Sequence, residues 1–194
     1  MTAHTKIISP AALTRIKDSS PSKRSSSNVA QLSHPKHVLI VEDNIVNQKV
    51  LSKQLRSSGC TVTVANHGQE ALDILARSTF YVDHHNSLLR TGLQLDIVLM
   101  DLEMPVMDGL TAVRKIREWQ TEGKLVRHVP VIAVTANARS EQIAVAKEAG
   151  MDSVVTKPFR IPELLPEMER QVSKIRGGGE ERPQELERSM SAPV

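Results

Sequence analysis

The sequence predicts an α/β fold, a doubly wound five-stranded parallel sheet in the order 2-1-3-4-5 with five helices. Short, wholly apolar runs alternate with helix-period segments, the pattern of repeated βα units whose sheet is covered on both faces. The runs HVLIV, DIVLM, VPVIAV and SVVT each end at a chemically active residue: Glu42 and Asp43 follow the first, and Asp101, Thr135 and Lys157 close the others. In an open parallel sheet, ligands bind in the crevice beyond the carboxyl ends of the strands. These five groups are therefore expected to form one site.

Each element follows from its residues. HVLIV predicts a strand over 37–41, and a helix over 45–58 follows, where Val46, Val50, Leu51 and Leu55 recur at helical spacing as an expected core stripe. Gly59 is the expected stop. A second strand is predicted over 61–65 and a second helix over 68–77. The stretch 78–95 exceeds the few residues that usually join a helix to a strand, so it reads as an insertion. His84 and His85 lie in it, but adjacent residues project in different directions and are not expected to share a metal.

Further along, 96–100 reads as a strand. Met104, Pro105, Met107, Asp108 and Gly109 then form a shaped turn in which Asp108 caps a helix over 109–120. Glu118, Glu122 and Lys124 read as a solvated face. A strand over 130–135, a helix over 140–149, a strand over 153–156 and a last helix over 161–175 complete the pattern. Pro158 directly follows Lys157, and a cis bond there would turn the chain sharply and fix where the lysine points.

The chain has 194 residues and 40% apolar content, room for one domain of ordinary size with a packed core. Residues 1–36, rich in Ser, Pro and basic side chains, and residues 177–194 read as disordered tails around a folded part at 37–176. The net charge of +3 misleads: residues 1–36 carry six basic and one acidic side chain, whereas 37–176 balance 17 against 17. With 2% aromatic residues and no Lys/Arg stripe expected along one helix, nucleic-acid binding is not expected. No apolar run approaches the roughly 20 residues of a membrane-spanning helix, so a soluble chain is expected. The single Cys60 reads as a small buried residue and suits a reducing, cytoplasmic setting.

In the predicted strand order the first and third strands are neighbours, and the acidic pair meets Asp101 across one crevice. Carboxylates about 5 Å apart repel by roughly 3 kcal/mol per pair at an effective dielectric near 20, so the cluster calls for a cation. All-oxygen ligands without His or Cys favour Mg²⁺. A carboxylate beside Mg²⁺ can attack phosphorus to give an aspartyl phosphate, with Lys157 and the Thr135 hydroxyl on the phosphoryl oxygens.

The motifs LIVEDN, VLMDLEMPVMDG, PVIAVTA and the TKPF that follows GMDSVV resemble the receiver domain of two-component phosphorelays, which has a flavodoxin-like (CheY-like) fold. LEMPVMDGLTAVRKIREWQ and TKPFRIPEL look most like the C-terminal receivers of fungal hybrid histidine kinases. The resemblance covers about residues 37–175. It implies that Glu42 and Asp43 bind Mg²⁺, that Asp101 accepts the phosphoryl group, and that the backbone carbonyl of Glu103 also ligates the metal. Thr135 and Lys157 take the roles of switch hydroxyl and phosphate-pairing lysine. The implied donor is a phosphohistidine on a histidine phosphotransfer protein or a histidine kinase core, and the implied state is a monomer or weak dimer.

Two features depart from that family pattern. Many receivers carry Tyr or Phe three residues before the lysine, where this chain has Val154, and the insertion at 78–95 is extra. Haloacid-dehalogenase-like phosphohydrolases also use a strand-end Asp with an acidic residue two positions on, here Glu103. They place their metal-binding acidic pair after the lysine, whereas Glu42 and Asp43 come first. A flavin module of the same fold needs a hydroxyl- and glycine-rich first loop in place of EDNIVN. A receiver-like interaction module without phosphorylation would leave the five groups unexplained. The sequence shows no ATP-binding kinase core, acceptor-histidine helix or DNA-binding segment, so the chain is expected to pass or hold a signal, alone or as a piece of a larger kinase.

Overall fold

Five parallel strands, β1 (His37–Val41), β2 (Thr61–Ala65), β3 (Ile97–Asp101), β4 (Val131–Thr135) and β5 (Ser153–Thr156), form one sheet in the order β2-β1-β3-β4-β5 in a computed structural model. The structure describes residues 36–82, 92–137 and 139–177. Expectations for the two tails and for His84 and His85 fall on residues outside these, Lys36 and Gly177 excepted. The helices are α1 (Ile45–Ser57), α2 (Gly68–Ala76), α3 (Gly109–Thr121), α4 (Ser140–Glu148) and α5 (Ile161–Gly177). Fold class, strand order and helix number agree with the sequence reading, and most ends agree within a residue or two.

The all-apolar strands are explained by what covers them. Side chains alternate across the sheet, so Leu39, Val41, Val98, Met100, Val131 and Ala133 pack on one face against Leu72 and Leu75 of α2, Val113 and Ile116 of α3 and Ala146 of α4. Val38, Ile40, Ile97, Leu99, Ile132 and Val134 pack on the other against Leu51 and Leu55 of α1 and Leu164, Leu165, Met168 and Val172 of α5. The three central strands, β1, β3 and β4, are buried on both faces, as parallel strands require, while the edge strands β2 and β5 are only partly covered.

Three expectations need correction, and one gains detail. The core stripe of α1 is Gln48, Leu51, Ser52 and Leu55, whereas Val46 and Val50 are 63% and 51% exposed. Both sets have helical spacing, and the helix settles on the face that buries Leu51 and Leu55 and on which Gln48 finds internal partners. Lys49, Lys53 and Arg56 recur at i, i+4 and i+7 on α1 and line one shallow groove, so a short basic stripe does run along a helix. Lys36, assigned from the sequence to the leading tail, is buried and pairs with Glu169 of α5 at 3.3 Å. Within the expected insertion, residues on both sides are tied down by isolated bridges from Ser78 to Leu93 and from Tyr81 to Leu125.

Local signals at the turns held. Gly59, at φ 87°, ends α1, and its amide donates to the Arg56 carbonyl at 3.0 Å. Asp108 caps α3 by accepting from the Thr111 amide at 2.8 Å, and the Lys157–Pro158 peptide is cis. Gly109 is required by close approach: a Cβ there would collide with the main-chain oxygen of Asp101.

At the amino ends of β4 and β5 a polar clamp joins α3 to the sheet. Arg117 donates to the carbonyls of Gly150 at 2.8 Å and Val129 at 2.9 Å, and its guanidinium meets Asp152 at 2.9 Å. Asp152 also accepts from the Val131 amide at 2.7 Å and meets the His128 ring at 2.6 Å. Burial alone would push the Asp152 carboxyl up, but His128, the Val131 amide and Arg117 outweigh it and hold the pKa below the usual range. Its stabilising contribution is therefore complete above the ordinary carboxylate pKa of about 3.9 and is lost as pH falls through the lower folded value. Urea denaturation across acid pH should show the wild type losing stability below about pH 4 more steeply than Asp152→Asn; parallel pH profiles would contradict this.

Candidate functional site

The parallel register brings the strand-end residues together. Val41 pairs with Met100, so Glu42 emerges from β1 beside Asp101, the last residue of β3. The Glu42 amide donates to the Ala65 carbonyl at 3.1 Å, which prolongs the β1–β2 ladder by one residue and fixes its backbone. Asp101 pairs with Val134, and the next β4 residue, Thr135, pairs with Thr156. Lys157 follows, its amide donating to the Thr135 carbonyl at 2.7 Å.

At the centre stands the Lys157 ammonium. Its Nζ lies 2.6 Å from Glu42 Oε2 and 2.6 Å from Asp101 Oδ2. Burial pulls the lysine pKa down, but the hydrogen bonds and charges of Asp101 and Glu42 together overcome this and leave it above its ordinary value. The lysine stays charged through neutral pH and offsets part of the carboxylate repulsion.

Glu42 is buried, Asp101 half-buried and Asp43 exposed, and one carboxylate oxygen from each lies within 4.8 Å of the others. An octahedral ion with oxygens at about 2.1 Å separates its ligands by roughly 3 to 4.2 Å, so one small divalent cation fits this cluster. Asp101 Oδ1 accepts from the Glu103 amide at 3.1 Å, which orients the carboxylate. The Glu103 side chain is exposed and stands outside the acidic group. Thr135 is buried on the neighbouring strand, its hydroxyl accepting from the Asn137 amide at 3.0 Å.

Sequence reasoning missed two residues at this site. Asn47 Nδ2 donates to Glu42 Oε1 at 2.9 Å, and the buried Gln48 donates from Nε2 to the Glu42 carbonyl and, at 2.9 Å, to Asn66 Oδ1. The available signal was a pair of amides five and six residues after Glu42. Gln48 lies one turn before Ser52, on the buried face of α1.

Residues 38–169 match the family described as the response regulator receiver domain. The chain belongs to that family. Hybrid signal transduction histidine kinase I of Dictyostelium discoideum is 39% identical to this receiver over 134 residues, 69% of this chain and 7% of that protein. Transcription factor SKN7 of Saccharomyces cerevisiae is 34% identical over 128 residues, 66% of this chain and 17% of that protein. The chain therefore spans a small part of the curated relatives it matches.

Among solved structures, the receiver domain of a sensor histidine kinase from Pseudomonas aeruginosa PAO1, with a magnesium ion coordinated in its active-site cleft, is 34% identical. It superposes with a TM-score of 0.58 over 72% of this chain and 99% of that one. The receiver domain of Ssk1 from Saccharomyces cerevisiae, in complex with the histidine phosphotransfer protein Ypd1, is 26% identical with a TM-score of 0.60, covering 72% and 90%. Among the described residues no helix is long and apolar enough to cross a membrane.

Because Lys157 answers two carboxylates at once, removing it leaves both without their cation. In the presence of a chelator, Lys157→Met should lose about 2 kcal/mol of unfolding free energy in urea. Adding Asp101→Asn to that variant should recover part of the loss, whereas a loss unaffected by the second change would count against the charge coupling.

Proposed function

We propose that this receiver domain takes a phosphoryl group from a phosphohistidine onto Asp101, then transfers it onward or loses it to water, as one step of a phosphorelay. The reading is carried by one observation: Lys157 lies 2.6 Å from the Asp101 carboxylate inside an acidic cluster of single-ion dimensions. In the transfer an Asp101 oxygen forms a bond to phosphorus while the phosphorus–nitrogen bond breaks. The electron pair of that bond goes to the imidazole nitrogen, leaving the donor as an ordinary histidine. In hydrolysis water attacks phosphorus and the Asp101 carboxylate leaves unchanged.

Lys157 and the Thr135 hydroxyl take phosphoryl oxygens, where charge is spread in the transition state. Glu42, Asp43, Asp101 and the main-chain carbonyl of Glu103 are the residues that would hold Mg²⁺. When bound, Mg²⁺ supplies positive charge for the phosphoryl oxygens. The magnesium in the Pseudomonas receiver supports that choice of ion. The order of the groups along the chain also favours this reading over a haloacid-dehalogenase-like hydrolase, since Glu42 and Asp43 precede every other group.

The donor in this reading is a histidine phosphotransfer protein or a histidine kinase core, and the setting is cytoplasmic. The relatives named hybrid histidine kinases and the Ypd1 complex support the donor class. So does the surface: Ile45, Val46 and Val50 present exposed apolar side chains at the start of α1, just after Asp43. A protein donor that reaches Asp101 from this side would bury them.

Incubation with Mg²⁺ and acetyl phosphate, or with a phosphorylated histidine phosphotransfer protein, should add the mass of one phosphoryl group in a base-labile bond. The gain should vanish with chelator and in Asp101→Asn. A label that survives in Asp101→Asn would move the acceptor elsewhere. Val50→Glu should slow transfer from the protein donor by about tenfold, and more than it slows phosphorylation by acetyl phosphate; equal effects on both donors would remove α1 from the docking surface.

A further inference from the structure

We infer that Asn47 is a positioning residue for the metal site: its side-chain amide holds Glu42 in the one orientation that faces a cation. The inference rests on the reading of Glu42 as a metal-holding residue and extends it to a residue that touches neither metal nor phosphoryl group.

The geometry begins with Glu42 itself. Glutamate reaches its carboxylate through one more methylene than aspartate, and that extra torsion must be fixed for an oxygen to stay in the cluster. The two oxygens of Glu42 have different partners. Oε2 meets Lys157 Nζ at 2.6 Å, and Oε1 accepts from Asn47 Nδ2 at 2.9 Å. The Asn44 amide lies 3.4 Å from the same Oε1, a weaker contact. When a cation takes the place of the lysine on one oxygen, Asn47 still grips the other.

Asn47 is itself held where it can do this. It sits in the first turn of α1, and its backbone amide donates to the side chain of Asn44, the helix cap, at 3.2 Å. The next residue, Gln48, anchors the Glu42 main chain through its carbonyl and links it to Asn66, whose side chain donates to Glu70 at 2.8 Å. Consecutive amides thus secure the side chain and the backbone of one acidic residue. A partner that holds a ligating group from behind sets its direction and its readiness to bind.

The test is Mg²⁺ affinity of the unphosphorylated protein, measured by calorimetry without any phosphodonor. Asn47→Ala replaces an exposed asparagine in a helix by a better helix former, so the fold is retained, which the metal-free melting curve checks. Its dissociation constant for Mg²⁺ should rise about tenfold, the low end for such a partner because water reaches the Asn47 side chain. In a Glu42→Asp background, where the shorter arm no longer reaches Asn47, the same substitution should change the affinity less than about twofold. An unchanged affinity in Asn47→Ala, or an equal loss in both backgrounds, overturns the inference and leaves the metal site standing. A wild type that binds no Mg²⁺ overturns both.

Discussion

One lysine ammonium held between two carboxylates on different strands is the interaction on which the rest of this receiver depends. Three acidic groups gathered at the ends of β1 and β3 repel one another, and a fold that places them there must hold a positive charge among them. Lys157 does so from the end of β5, across β4, at 2.6 Å from both Glu42 and Asp101. The same contact that steadies the metal-free protein puts a cation where a phosphoryl group would gather negative charge. Stability and chemistry are therefore set by one arrangement.

The sheet makes that arrangement possible by dividing the molecule lengthwise. The central apolar strands β1, β3 and β4, buried on both faces, leave polar chemistry only at their ends. The carboxyl ends carry the acidic cluster, the lysine and Thr135. The amino ends of β4 and β5 carry the Arg117–Asp152–His128 clamp, in which nearly every polar group has a partner within the fold. The Arg117–Asp152 charges answer each other within the fold, while the carboxyl end retains an excess of negative charge available to a ligand.

Much of this was legible in the residues. The wholly apolar runs of the central strands have no alternation to confuse, and each stops at a polar residue at the carboxyl end of the sheet, so these strands could be read directly. Their order was taken as the common one for five βα units; given that order, the meeting of Glu42, Asp43, Asp101 and Lys157 followed. The face of α1 could not be read in this way. Val46 and Val50 share helical spacing with Leu51 and Leu55, and apolarity alone selected them. The buried face instead includes Gln48 and Ser52, and Gln48 is paid in hydrogen bonds to Glu42 and Asn66 that exist only once β1, α1 and the loop after β2 are assembled. Asn47 was hidden for the same reason, since its role lies in a contact across a loop. Lys36 was assigned to a tail because its partner, Glu169, is 133 residues away.

The central claim is that the Glu42, Asp43 and Asp101 carboxylates act together as a single binding site for a divalent cation. The most direct measurement is the thermal unfolding midpoint with and without Mg²⁺, for the wild type and for the triple variant Glu42→Gln, Asp43→Asn, Asp101→Asn. An ion bound only by the folded state raises stability with its concentration. The account predicts a midpoint that climbs with Mg²⁺ in the wild type and stays flat in the triple variant. The same rise in both proteins, or no rise in either, would contradict it.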